Sequence, residues 1–533
     1  MLRLSQRIGA NRGGSSAEVT VTGSYDPQSS LARTVMSHRE SFLAPSRPKV
    51  AYSARSFCIS GIFRPLGFHP VTVSTMNLRH IFRGVILVAF CSVASHEANI
   101  VAPQAQQASA DTKVVTAQAL ASTGSTSEAP AATPQRVTKY TLPPDRYQKA
   151  HNLAKIHFRL ALISFVYGLV VLWLVLHWKI SAKYRTLAES TSSRRILQAL
   201  VFSPLIILTI NAFELPTGIY ENWVSRQYGL SVQGWGSWFW DWTKGQLVSV
   251  IIGTILIWLL YGVIRKSPRR WWFYFWLVSL PILLLVLFLQ PLIIDPLFNK
   301  FEPLQQKDPA LTASLEKLAQ RAGQNIPPER MFWMNASEKT TAVDAYVTGF
   351  GASKRIVVLD TTIAKATTPE IVYVAGHEMG HYVLQHIPKT LVGAAGFLFV
   401  LFYLGFRTIG WVLARWGAKW EVRSLDDWAS LPAMLALLSV FAFLANPITS
   451  AFSRHQEHQA DQYGLEVTHG LTPDSGQVAA QAFNLLGDVD LADPEPNPVD
   501  VFLFYSHPSI PDRVQFALAY DPWSHGEPGE FVK

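Results

Sequence analysis

The 533-residue sequence predicts a mainly α-helical, polytopic transmembrane fold with a small mixed α+β domain set between its spans. Three observations carry that expectation. Only 16% of the residues are charged and 49% are hydrophobic, whereas a soluble chain carries about a quarter charged residues. The apolar residues are concentrated in six runs, at about 158–178, 196–213, 246–264, 271–294, 390–413 and 430–448. Each run approaches the roughly 20 residues that a helix needs to cross about 30 Å of hydrocarbon. Between the fourth and fifth runs, residues 295–389 return to ordinary polarity and show both helical and strand patterns. Buried helices of a large soluble protein would not produce so many long runs nearly free of charge.

Along the chain, residues 1–75 are rich in Ser, Arg and Gly and lack periodicity; they read as disordered or as upstream extension. Met76 opens a basic MNLRHIFR, followed by the apolar GVILVAFCSVA and small residues at Ser92 and Ala94. That order marks 76–95 as a signal peptide or signal anchor, and an uncleaved anchor would add a seventh span. The Ala/Ser/Thr/Gln/Pro composition that follows makes 96–140 a flexible linker. Four spans fill 141–294, with Pro204 and Asn211 blurring the ends of the second. In the insert, LTASLEKLAQRAG (311–323) has helical spacing and stops at Gly323. AYVTGFG (345–351) and RIVVLDT (355–361) read as strands around a GASK turn. TTPEIVYVAGHEMGHYVLQH starts a helix with Thr before Pro369 and Glu370. Two further spans cover 390–448, and 449–533 holds a polar helix, SAFSRHQEHQADQYGLEV, and a tail with SHPSIPDRV (506–514).

The net charge of +9 sits in clusters beside the apolar runs, with no basic stripe of interleaved aromatics. The expected partner is therefore a lipid bilayer and not nucleic acid. Two cysteines, Cys58 and Cys91, make neither a disulfide framework nor a metal-binding spacing.

HEMGH (377–381) is the strongest chemical signal. On a helix, His377 and His381 share a face and can aim imidazole nitrogens at one ion. Glu378 lies about 100° round the helix. It can reach a water on the metal instead of the metal, as a general base taking that water's proton. A catalytic zinc needs a third protein ligand and an open fourth position. Residues 453–464 offer His455, Glu457, His458 and Asp461. Glu457 and Asp461 share a face, which would let Glu457 bind metal while Asp461 holds a ligating His. Spacing alone puts Glu457 only slightly ahead of the two histidines. Arg454, three residues before Glu457, is placed to orient it, and His386 reads as a structural histidine. The donor set suits one Zn2+ per chain.

HEMGH, SRHQEHQAD, KRIVVLDT, PLFNKFEPL (296–304) and SHPSIPDR resemble, in that combination and order, the type I CAAX prenyl proteases and their HtpX-type membrane metallopeptidase relatives. The similarity runs over roughly 140–520. It implies a helical cage enclosing a chamber, with a zincin-like α+β metalloprotease domain whose zinc site faces the chamber. It also implies Glu457 as the third ligand, Asp461 in a catalytic or supporting role, and catalytic roles near the substrate for His507 and Arg513. Two departures stand out. Asp344-Ala345-Tyr346 replaces the family's Asn-Ala-Tyr in the segment expected to bind an extended peptide by strand addition. The family commonly has seven spans, against six clear ones here.

The loops 179–195, 265–270 and 414–429 carry five, four and three Lys/Arg, against two in 214–245. The positive-inside rule puts those three loops in the cytoplasm and the insert and tail outside. The resemblance implies a cytoplasm-facing site, and the six Lys/Arg at 136–159 also count against the outward placement. With the signal-like segment, the expectation is a bacterial inner-membrane protein with an outward-facing site. The function expected is zinc-dependent hydrolysis of peptides or membrane proteins, with prenylated tails or misfolded proteins as substrates. The alternative is a transporter or scaffold with a non-catalytic metal. A carboxylate ligand, an adjacent base and the absence of nearby Cys favour catalysis. Arg407 is the main isolated charge within a span, thin support for a transport path.

Overall fold

The computed structural model describes residues 136–349 and 351–533. The segments 1–75 and 76–95 and most of the 96–140 linker lie outside the described residues. The α-helices of seven residues or more are α1 (Pro144–His177), α2 (Ile180–Thr191), α3 (Arg195–Gln227), α4 (Trp235–Lys266), α5 (Trp271–Leu289), α6 (Pro309–Arg321), α7 (Thr368–Val383), α8 (His386–Trp416), α9 (Leu431–Thr468), α10 (Ser475–Val489), α11 (Pro498–Phe504) and α12 (Ile510–Ala519). Among the described residues, six helical stretches are long and apolar enough to cross a membrane: α1, α3, α4, α5 with its continuation to Phe298, α8 with its continuation to Trp420, and α9 with its lead-in from Trp428.

The helices outrun their apolar cores. α3 passes through Pro204 and Pro216 without breaking, and α9 runs through Pro447 to Thr468. Neighbouring helices re-satisfy the backbone groups that a proline frees. Ile163, Leu247, Ile251, Leu285, Val392, Leu444 and Ile448 stand exposed, an apolar surface that suits lipid and not water. Polar groups turn inward: Asn211 donates to Gln246 at 2.5 Å, and Glu214 is buried in α3. Arg407 is exposed on α8.

The three basic loops form one cap. Arg185 of α2 donates to Glu421 O (2.8 Å) and Asp427 Oδ2 (2.6 Å), and Arg423 pairs with Glu189 at 2.9 Å. Arg265 donates to Asp426 O and covers the Trp428 ring. The 214–245 loop joins the insert instead. Lys339 O accepts from Val232 N, Lys339 Nζ pairs with Asp241 (2.6 Å), and Lys244 Nζ donates to Leu297 O.

The insert carries a four-stranded sheet, β1 (Phe301–Pro303), β2 (Met331–Met334), β3 (Ala345–Thr348) and β4 (Arg355–Leu359), in the order β1-β2-β4-β3. β3 and β4 pair antiparallel, with Ala345 opposite Val358 and Thr348 opposite Arg355, while β2 runs parallel to β4. Gly349, at φ +91°, makes the turn after β3, where a Cβ would strike Ser353 O. Leu311, Leu315 and Leu318 of α6 pack with Ile356 and Val358 of β4 and Ile371, Ala375 and Met379 of α7. That core holds α7 against the sheet and leaves β3 as a free edge.

Candidate active site

α7 begins with a capping box: Glu370 accepts from Thr367 N (2.6 Å) and the Thr367 hydroxyl (2.8 Å), with Pro369 in the first turn. α7 then crosses α9 at three glycines. A Cβ at Gly464 would lie 3.2 Å from His377 N, one at Gly380 3.3 Å from Ala460 Cα, and one at Gly376 3.0 Å from Val467. Backbone therefore meets backbone, and Glu457 arrives at the two histidines.

His377 Nε2 lies 3.3 Å from His381 Nε2 and 3.2 Å from Glu457 Oε2, and His381 Nε2 lies 3.8 Å from that oxygen. Such separations are close to the edge of a tetrahedron around an ion with bonds of about 2.0–2.1 Å, roughly 3.3 Å. Glu457 Oε2 is buried with no well-directed hydrogen bond, although His377, His381 and His507 all present Nε2 within 3.8 Å. Lone pairs converging on shared space fit a cation.

Behind each histidine stands a second group. His377 Nδ1 lies 2.8 Å from Asp461 Oδ1, and Arg513 grips both Asp461 oxygens at 2.9 and 2.5 Å while covering the Phe483 ring. His381 Nδ1 lies 3.1 Å from His386 Nδ1, whose Nε2 is 3.2 Å from Gln459 Oε1. The electrostatics differ accordingly. Burial would lower the pKa of His377, but Asp461 and Glu457 raise it to about 10. Burial lowers His381 to about 3 against the pull of Glu457. Glu378 is pushed up to about 8, first by burial, with Asp344 and Glu457 adding to the shift. Its carboxylate accepts from Val347 N–H on the β3 edge and lies 3.9 Å from His377 Nε2.

Other residues fall differently from the sequence expectation. His455 and His458 are exposed, with His458 against Phe516. Arg454 turns to Val501 O and Tyr505 O and pins the tail instead of orienting Glu457. His386 opens α8 and touches His381 at the site. His507 reaches Glu457 from the tail while its Nδ1 bonds Ser506 Oγ at 2.8 Å. Arg513 reaches His377 by way of Asp461. Gln459 escaped the sequence reading because a Gln beside three stronger ligand types gives no signal of its own.

Residues 305–521 match the model of peptidase family M48, and 126–300 match the CAAX prenyl protease N-terminal model, described as five membrane helices. An uncharacterized metalloprotease of Bacillus subtilis, YhfN, is 38% identical over 63% of this chain and 77% of its own length. CAAX prenyl protease 1 of Saccharomyces cerevisiae is 24% identical over 72% of this chain and 90% of its own. The crystal structure of S. mikatae Ste24p superposes with a TM-score of 0.62 at 25% identity, covering 71% of this chain and 90% of that one. The chain belongs to peptidase family M48 and is a multi-pass membrane metalloendopeptidase.

Proposed function

We propose that this enzyme is zinc-dependent, with His377, His381 and Glu457 holding one Zn2+ per chain and Glu378 acting as the general base. The observation that carries the proposal is the convergence of two buried donors, on His377 and Glu457, and the partly buried His381 at near-tetrahedral spacing beside a carboxylate that is not one of them. Zinc held by these residues would polarise a carbonyl and acidify water. Glu378, whose carboxylate lies 3.9 Å from His377 Nε2 without being one of the three donors, accepts the proton of the attacking water and returns it to the leaving amine. His507, with Nε2 facing the same space, donates to the oxygen on which negative charge develops. Asp461 keeps His377 turned to the metal, and Arg513 works through Asp461 as a positioning residue.

The free edge of β3 supports an extended peptide as substrate, bound by main-chain hydrogen bonds next to Glu378. Several relatives are named CAAX prenyl protease 1, and on that basis prenylated C-terminal peptides are the substrate class to try first, ahead of misfolded membrane proteins. The location we propose is a bacterial inner membrane with the site facing outward. The basic cap, on the opposite side of an odd number of crossings from the insert, supports that placement, and the Bacillus relative supports the source.

The test is cleavage of quenched fluorescent peptides, farnesylated and plain, by purified protein in detergent. Activity should vanish when zinc is stripped and return with one equivalent per chain. Activity that persists with zinc removed contradicts the proposal.

A further inference from the structure

We infer that His386 and Gln459 are positioning residues that fix the tautomer of His381 and so keep its Nε2 free for the metal. The inference rests on the zinc reading above. Two ring nitrogens 3.1 Å apart, His381 Nδ1 and His386 Nδ1, need one N–H and one lone pair between them. The far nitrogen of His386 decides which. His386 Nε2 lies 3.2 Å from Gln459 Oε1, a carbonyl oxygen that only accepts, so Nε2 carries the hydrogen. A neutral His386 then has its lone pair on Nδ1, and the proton in that contact belongs to His381 Nδ1. His381 Nε2 is left with a lone pair, and that nitrogen faces His377 Nε2 and Glu457 Oε2. Were Gln459 turned to present its NH2 group, each step would invert and a proton would sit on His381 Nε2, where the ion must bind.

The backbone is built for this contact. A helix continuing from His381 would carry residue 386 about 140° round its axis. Instead α7 ends, Gln385 takes φ +58°, a conformation uncommon outside glycine, and α8 starts with His386 folded back on His381. His386 is 2% exposed. Its carbonyl accepts from Gln456 Nε2 at 3.5 Å, and Thr390 Oγ1 donates to Gln456 Oε1 at 2.9 Å. Gln456 and Gln459 bracket Glu457 on α9. The turn that supplies the third ligand thus also sets the tautomer of the second, closing a loop from His381 through His386 and Gln459 back to Glu457. His377 leans on an anion, Asp461, whereas His381 leans on a neutral ring.

The experiment is zinc affinity by chelator competition on the full chain in detergent, with thermal unfolding as the check on folding. His386→Leu, which removes the acceptor, should weaken zinc binding by about 10–100-fold. His386→Asn, whose Oδ1 falls near the Nδ1 position, should restore most of it. Gln459→Met should weaken binding and Gln459→Glu should preserve it; this second pair reads the same relay if the His386 variants do not fold. Wild-type affinity in both His386→Leu and Gln459→Met overturns the inference, as does equal loss in the Leu and Asn variants with folding intact. A wild-type chain that binds no zinc sinks the metal reading and this inference together, a result distinct from either of those.

Discussion

At the scale of single residues, the proposed site separates groups that would hold the ion from groups that would hold the holders. Asp461 lies behind His377 and is itself gripped by Arg513; in the proposed site its charge serves a ligand and not the reacting bond. Asp461→Asn should therefore lower zinc affinity about 10–100-fold in chelator competition, and an unchanged affinity would contradict that role. Glu378 offers a second check in metal-stripped protein. Its folded pKa of about 8 exceeds the ordinary 4.5, so the folded state binds more protons between those values. The stability it contributes is complete below about pH 4.5 and is lost as pH rises through 8. Metal-stripped wild type should thus fall below Glu378→Gln in Tm by a few °C between pH 5 and 9. A pH-independent gap would show that burial does not govern this carboxyl.

Elements bring these residues together by close helix packing. The α7–α9 crossing depends on Gly376, Gly380 and Gly464, each with backbone or core atoms where a Cβ would stand. Gly464→Ala should cost about 1–3 kcal/mol and weaken zinc binding. Gly262→Ala, with nothing near its Cβ position, should do neither in the same thermal unfolding and titration. HEMGH, the capping residues Thr367 and Glu370, and the apolar runs were legible because each is written in local periodicity. β1 and β2 were not, since MFWM has no polar alternation and FEP is too short, and their pairing is nonlocal. The contact of His386 with His381 was not legible, since a continuous helix would carry residue 386 away round its axis, whereas the chain breaks at Gln385. Arg454 was misjudged because spacing on a helix says nothing of carbonyls that the tail brings from residues 501 and 505. Glu214 falls just past the apolar run that defined the second span, yet α3 carries it into the buried bundle.

At the scale of the whole molecule, the six candidate membrane helices among the described residues put the basic loops at one end, knitted together by Arg185, Arg265 and Arg423, and the insert and tail at the other. A reporter fused after Lys533 should read as non-cytoplasmic; a cytoplasmic signal would reverse the proposed orientation and leave the chemistry untouched. The central claim, that a metal held by His377, His381 and Glu457 works with a separate base at Glu378, is tested most directly by comparing wild type with Glu378→Gln for bound zinc and peptide cleavage. Both proteins should hold about one zinc, with cleavage lower in the variant by about 10²–10⁴-fold. Equal cleavage by the two proteins, or loss of the metal along with the carboxylate, would contradict that division of roles.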